Sequence, residues 1–146
     1  MLPIATDVTP KDITKFLDNL PIDQVSERPK KSVEGTGDYG IGVFGVFRPK
    51  EFPSGSNLHQ VNRTEIYYML SGYATLAAGG TILEARRENG NWVRGTAIEN
   101  GVSRRVVPGD VIVIPGHTSH WFSESETDLS SLTFRPDPNN RFPLVD

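Results

Sequence analysis

Few side chains in this sequence can do chemistry. Three histidines, His59, His117 and His120, are present and cysteine is absent, which excludes thiol nucleophiles, zinc-thiolate sites and disulfides. Imidazoles, carboxylates and phenols remain. His59 opens the run HQVNRTEIYYMLSG and Glu65 lies in its middle. Side chains alternate across a strand, so if residues 59 to 69 run without a bulge, His59, Val61, Arg63, Glu65, Tyr67 and Met69 share one face. An imidazole, a guanidinium and a carboxylate on the face of Met69 describe a lined barrel interior better than a dry core. A second half of the site comes from DVIVIPGHTSHWF. There a buried strand, Val111 to Ile114, is expected to end at Pro115-Gly116, and a new strand to start near His120, which brings His117 and His120 to a barrel mouth.

These types suit two chemistries. Imidazole and carboxylate together can hold a cation, or they can move protons as acid and base. His117, in a turn beside Gly116, is a candidate general base or substrate donor. Arg63 is a candidate bidentate partner for a substrate carboxylate, and Tyr67 is the third candidate catalytic residue. Parity also predicts a pocket walled by Phe44, Val46, Tyr67, Met69, Val113 and Phe122, which favours a partly apolar organic substrate.

The elements that must position these residues are mostly strands. Thr9, Pro10 and Asp12, followed by Ile13, Phe16, Leu17 and Leu20 at helical spacing, predict a short helix over 10–20, stopped by Pro21. Residues 21–38, with Pro21, Pro29, Gly35 and Gly37, read as an irregular connection. From Tyr39 the pattern changes to short runs rich in Val, Ile, Tyr, Phe and Thr, divided by Gly-, Asn- and Pro-containing turns. Three parts follow: an N-terminal helix and arm over 1–38, a barrel over 39–136, and a proline-rich tail over 137–146. The tail RPDPNNRFPLVD is expected to lie across the surface rather than add a strand. The stretch from Tyr73 to Pro108 predicts an extended hairpin turning at Glu88 to Asn91 and covering the cavity or a neighbouring subunit. Many short strands with one terminal helix make the fold all-β, a sandwich or barrel.

Composition narrows the partners. The 146 residues fit a single domain and carry a formal net charge of -3 with both signs interspersed, which argues against nucleic acid. No apolar run is long enough to span a bilayer, and MLPIATDVTP has no signal-peptide pattern. A soluble, cytoplasmic protein is expected.

The two stretches that carry the chemistry also resemble the cupin superfamily, whose motifs are G(X)5HXH(X)3-4E(X)6G and G(X)5PXG(X)2H(X)3N. His59, Glu65 and Gly72 match the first motif, and Gly109, Pro115 and His120 match the second. Pro53 stands at the first glycine, Val61 at the second histidine, His117 at the glycine of PXG, and Glu124 at the final asparagine. The resemblance implies a double-stranded β-helix, or jelly-roll cupin barrel, and a homodimer. It further implies a divalent transition metal (Fe, Mn, Ni, Cu, Co or Zn) held by His59, Glu65 and His120, a facial set of two imidazoles and a carboxylate. With such an ion, dioxygenase, oxidase, isomerase or lyase chemistry on a small molecule is implied. The loss of one histidine keeps two alternatives open: a metal-free cyclase, dehydratase or isomerase using Glu65, His117 and His120 as acid and base, and a non-catalytic binding module.

Overall fold

A computed structural model describes residues 7–34, 40–59, 63–88 and 92–137. Helix α1 spans Pro10–Leu17. Its start is a reciprocal cap: Thr9 Oγ1 accepts from the Asp12 backbone N–H at 3.2 Å, and Asp12 Oδ2 accepts from the Thr9 backbone N–H at 3.0 Å. This satisfies two of the donors that every helix start leaves open. The helix ends at Leu17 rather than Leu20, because a turn bonding Leu20 N–H to Leu17 C=O at 3.1 Å precedes Pro21. α1 packs on the sheet through β2, described next.

Among the described residues thirteen strands follow: β1 Ser26–Glu34, β2 Gly40–Arg48, β3 Ser56–His59, β4 Glu65–Ser71, β5 Ala74–Ala78, β6 Thr81–Leu83, β7 Arg86–Glu88, β8 Trp92–Gly95, β9 Ala97–Glu99, β10 Val102–Val106, β11 Val111–Ile114, β12 His120–Ser125 and β13 Leu129–Asp137. A five-stranded sheet has the order β1-β2-β13-β4-β11, and a six-stranded sheet the order β10-β5-β12-β3-β8-β7. β6 and β9 form a separate ribbon. All pairings among the described strands are antiparallel.

Two expectations need correction. Residues 26–34, expected to be irregular, form β1 and pair with β2, with a bulge between Pro29 and Lys31 that accommodates the proline. The start of the tail, Arg135 to Asp137, extends β13 instead of crossing the surface. Beyond Phe134 this strand has β2 on one side only, so Pro136 can lie in it without breaking a two-sided ladder. The expected hairpin over 73–108 is present as β7 and β8, with Glu88 opposite Trp92. Its tip, 89–91, lies outside the described residues.

The core lies between the two sheets. Tyr67 and Met69 from β4, Leu76 from β5, Ile112 and Ile114 from β11 and Phe122 from β12 form one buried apolar cluster. Full burial of such a side chain contributes about 1.5–3 kcal/mol. In β11 the alternation places Ile112 and Ile114 inside and leaves Val111 and Val113 exposed, so Val113 faces not the interior but a surface pocket that Val102 and Arg104 of β10 also line. Gly72, between β4 and β5, has φ +93°, and a Cβ there would run into the Asp128 carbonyl and Leu129. Only glycine fits that turn.

Candidate functional site

His59 and Glu65 belong to different strands and different sheets. β3 ends at His59 in the six-stranded sheet and β4 begins at Glu65 in the five-stranded one. They face each other because each closes the same interior, not because one strand carries both. Val61, which replaces the usual histidine, lies outside the described residues.

The two side chains meet: His59 Nε2 is 2.8 Å from Glu65 Oε1. Glu65 is 2% exposed and accepts two further bonds, from Arg135 Nε at 3.0 Å on Oε1 and from the Tyr67 hydroxyl at 2.6 Å on Oε2. Burial alone would raise its carboxyl pKa, but the His59 hydrogen bond and the charge of Arg135 are the leading effects against it, and Glu65 is held well below the usual carboxylate range. Glu65 is therefore an anion at neutral pH. Burial first, and the Glu65 charge next, push the Tyr67 hydroxyl well above its ordinary value, so it stays a donor.

His120 opens β12 and is 2% exposed. Its Nδ1 is 3.0 Å from the Thr118 carbonyl, which fixes the proton on Nδ1. Burial lowers its pKa despite the nearby Glu65, so the ring is neutral. Its Nε2 has no hydrogen-bond partner and stands 3.8 Å from Glu65 Oε2, beyond hydrogen-bond reach.

The implied metal can be tested against this arrangement. The bare Nε2 of His120 beside a carboxylate is the kind of donor a cation would satisfy. Against it, three of about four acceptor positions on Glu65 are filled by His59, Arg135 and Tyr67. The two imidazoles approach opposite carboxylate oxygens, with ring centroids 6.3 Å apart. Among the described residues no three His, Asp or Glu groups are arranged to hold a metal ion. As arranged, the set does not fit a resident metal; the cation beside Glu65 is the guanidinium of Arg135.

A cavity of about 160 Å³ opens beside Glu65. Its wall includes His59, Tyr67, Arg48, Asn57, Trp92 and Arg94. His59 stacks on Trp92 with centroids 5.1 Å apart, and Arg94 lies over the Trp92 ring at 4.1 Å. The cavity is polar, contrary to the apolar pocket expected. Phe44, Val46, Met69 and Phe122 are buried in the core and, of the six predicted walls, only Tyr67 lines it.

The structure thus brings together His59, Glu65, His120 and Tyr67. His117 and Arg63 are not among the cavity's lining residues. His117 is exposed in a turn with φ +62°, and its part near the site is a backbone one, donating its N–H to the His59 carbonyl at 3.0 Å. Sequence reasoning missed Arg135 and Arg48. Both were readable by parity: Arg135 shares a face with buried Ser131 and Thr133, and Arg48 with buried Phe44 and Val46. A cation on an inward face requires a partner.

No protein-family model and no curated protein matches the chain. Solved structures do. The DMSP lyase DddQ from Ruegeria pomeroyi DSS-3 is similar at 17% identity with TM-score 0.53, over 83% of this chain and 50% of that one. The chain thus spans half the length of that lyase. An RmlC-like cupin family protein with a double-stranded β-helix fold from Methanocaldococcus jannaschii is similar at 10% identity with TM-score 0.50, over 82% and 84% of the two chains. An uncharacterized conserved protein with a double-stranded β-helix domain from Klebsiella pneumoniae is similar at 15% identity with TM-score 0.51, over 92% and 94%. The class is therefore a double-stranded β-helix, and its fold is that of the cupin superfamily. Among the described residues no helix is long and apolar enough to cross a membrane.

Proposed function

We propose that the protein is a small-molecule enzyme of the proton-transfer type, an isomerase or eliminating lyase, with His59 as general base and Glu65 as its orienting carboxylate. The observation that carries this reading is the 2.8 Å pair of His59 Nε2 with an ionised, buried Glu65 at the wall of a polar cavity. An ionised carboxylate only accepts hydrogen bonds, so the contact with Glu65 takes a proton on His59 Nε2, and the nitrogen that serves as base is Nδ1. That nitrogen takes a proton from a carbon next to a substrate carbonyl. The C–H electron pair moves into a carbon–carbon double bond and either charges the carbonyl oxygen or expels a leaving group, to which His59 returns the proton. Glu65 stabilises the imidazolium that forms in between, while Arg135 and Tyr67 fix the carboxylate. Such base catalysis contributes about 10²–10⁴-fold. The oxygen-dependent reactions implied by the resemblance have no support in this donor set. That a lyase shares the fold agrees with the reading without carrying it.

The test is proton exchange in D₂O, followed by NMR over a panel of small 2-oxo, 3-oxo and 3-hydroxy carboxylic acids. Loss of an α-proton signal above the buffer rate, reduced about 10²-fold or more in His59→Asn, is expected. Exchange that is absent for every compound, or unchanged in His59→Asn, overturns the reading. A second copy of the chain is the proposed protein partner, supported by Val102, Val111 and Val113. These are exposed by 78%, 61% and 58% along the neighbouring edges β10 and β11, where bare edges and apolar side chains call for cover.

A further inference from the structure

We infer that Arg48 and Asn57 form a subsite for a small monocarboxylate, so that the substrate of the proposed proton transfer is a short-chain organic acid bound by its carboxylate. The inference rests on the acid-base reading for the reaction but on separate residues for binding.

Charge balance in the cavity carries it. Three guanidinium groups, Arg48, Arg94 and Arg135, line the cavity with one carboxylate, Glu65. Arg135 is paired with Glu65. Arg94 is paired with Glu88 on β7, with Nε 3.0 Å from Oε2, a carboxylate it shares with the exposed Arg86 at 3.1 Å. Arg48 donates from NH1 to the Ser54 hydroxyl at 3.0 Å and lies 4.8 Å over the Phe122 ring, and has no carboxylate partner among the described residues. A half-buried guanidinium without a counter-charge calls for an anion from outside. Of the three lining guanidiniums Arg48 is the one without a carboxylate among the described residues, so the ligand that pairs with it carries a negative charge. A dianion would leave an excess negative charge facing ionised Glu65.

Geometry and size narrow the class. A guanidinium presents a planar fork that matches a carboxylate, and Ser54, which also lines the cavity, accepts from its NH1. Asn57 lines the same cavity from β3 and adds an amide donor. A volume of about 160 Å³ equals roughly five water volumes, room for an acid of roughly three or four carbons. Bound at Arg48, such an acid has its α-carbon within the cavity that His59 also lines.

Trp92, which lines the cavity, gives the readout, since the chain has two tryptophans and Trp92→Phe assigns the indole signals. Propionate, pyruvate, neutral propionamide and inorganic phosphate are titrated into the ¹⁵N-labelled protein, and the Trp92 indole N–H is followed by NMR. A saturable shift with propionate or pyruvate, at least tenfold weaker with propionamide and with phosphate, and at least tenfold weaker in Arg48→Gln, is expected. No saturable shift with either acid, or equal binding of propionamide, overturns the subsite. Phosphate binding as tight as the acids overturns the carboxylate assignment. Comparison of the ligands on the unaltered protein decides the question even if Arg48→Gln fails to fold. Carboxylate binding without proton exchange would sink the acid-base reading and leave the subsite standing. Exchange without a shift would do the reverse.

Discussion

Arg135→Met isolates the role assigned to the buried guanidinium. Arg135 is 8% exposed and Glu65 2% exposed, with Nε 3.0 Å from Oε1. Methionine keeps an unbranched stem against Phe44, over which the guanidinium lies at 4.2 Å, and removes only the charge and its donors. Breaking a buried pair by removing one partner leaves the other charge uncompensated and costs about 3–5 kcal/mol. At about 2–4 °C per kcal/mol for a chain of this size, the melting temperature falls by roughly 6–20 °C. Thermal and urea unfolding measure it. The double variant with Glu65→Gln removes both charges, so its cost is expected to be below the sum of the single costs by about 1 kcal/mol or more. Arg135→Met within about 1 kcal/mol of the natural protein, or costs that add, would refute the pairing as the source of Glu65's charge balance.

Four further outcomes follow from the same structure. Tyr67→Phe removes the 2.6 Å donor to Glu65 Oε2 and is expected to cost about 1.5–3 kcal/mol in urea unfolding, the range for a bond to a charged group. Glu65 and His120 both have folded-state pKa values below their usual ones, so the unfolded chain binds more protons. Stability is expected to fall as pH drops, from about 6.5 through His120 and from about 4.5 through Glu65, with the lower part absent in Glu65→Gln; unfolding midpoints across pH measure this. Gly72→Ala combines positive φ with a collision against Asp128 and Leu129, whereas Gly109 has φ +91° and open space around its Cβ position. Gly109→Ala is expected to cost about 1–2 kcal/mol and Gly72→Ala more, by thermal unfolding. Val113→Glu puts a charge on the exposed β10/β11 edge, and sedimentation is expected to show dimer for the natural protein and monomer for the variant.

The strands were legible because runs rich in Val, Ile, Tyr and Phe are divided by Gly-, Asn- and Pro-containing turns; the faces of β11 were not, since all four residues of VIVI are apolar while only Ile112 and Ile114 are buried. The pairing of His59 with Glu65 was legible from motif spacing, though for the wrong local reason, since the chain changes sheet between them. β1 was hidden by Pro29, which a bulge absorbs. The pocket's character was misread because four of the six expected walls, Phe44, Val46, Met69 and Phe122, are taken up in the core, and Val113 faces outward. Arg135 and Arg48 were overlooked because each ends an apolar run and looks like a solvated terminus. What places them is the neighbouring strand: β13 lies between β2 and β4, so Arg135 faces Glu65 across a pairing that no local sequence signal specifies.

On the proposed reading Glu65 is balanced by Arg135 and orients His59, and the site holds no metal ion. Elemental mass spectrometry tests it most directly, on tag-free protein incubated with Fe(II), Mn(II), Ni(II) and Zn(II) and then desalted, with Glu65→Gln, His59→Ala and His120→Ala alongside. Metal far below stoichiometric, and the same in all four proteins, is expected. Near-stoichiometric metal in the natural protein, lost in all three variants, would contradict it.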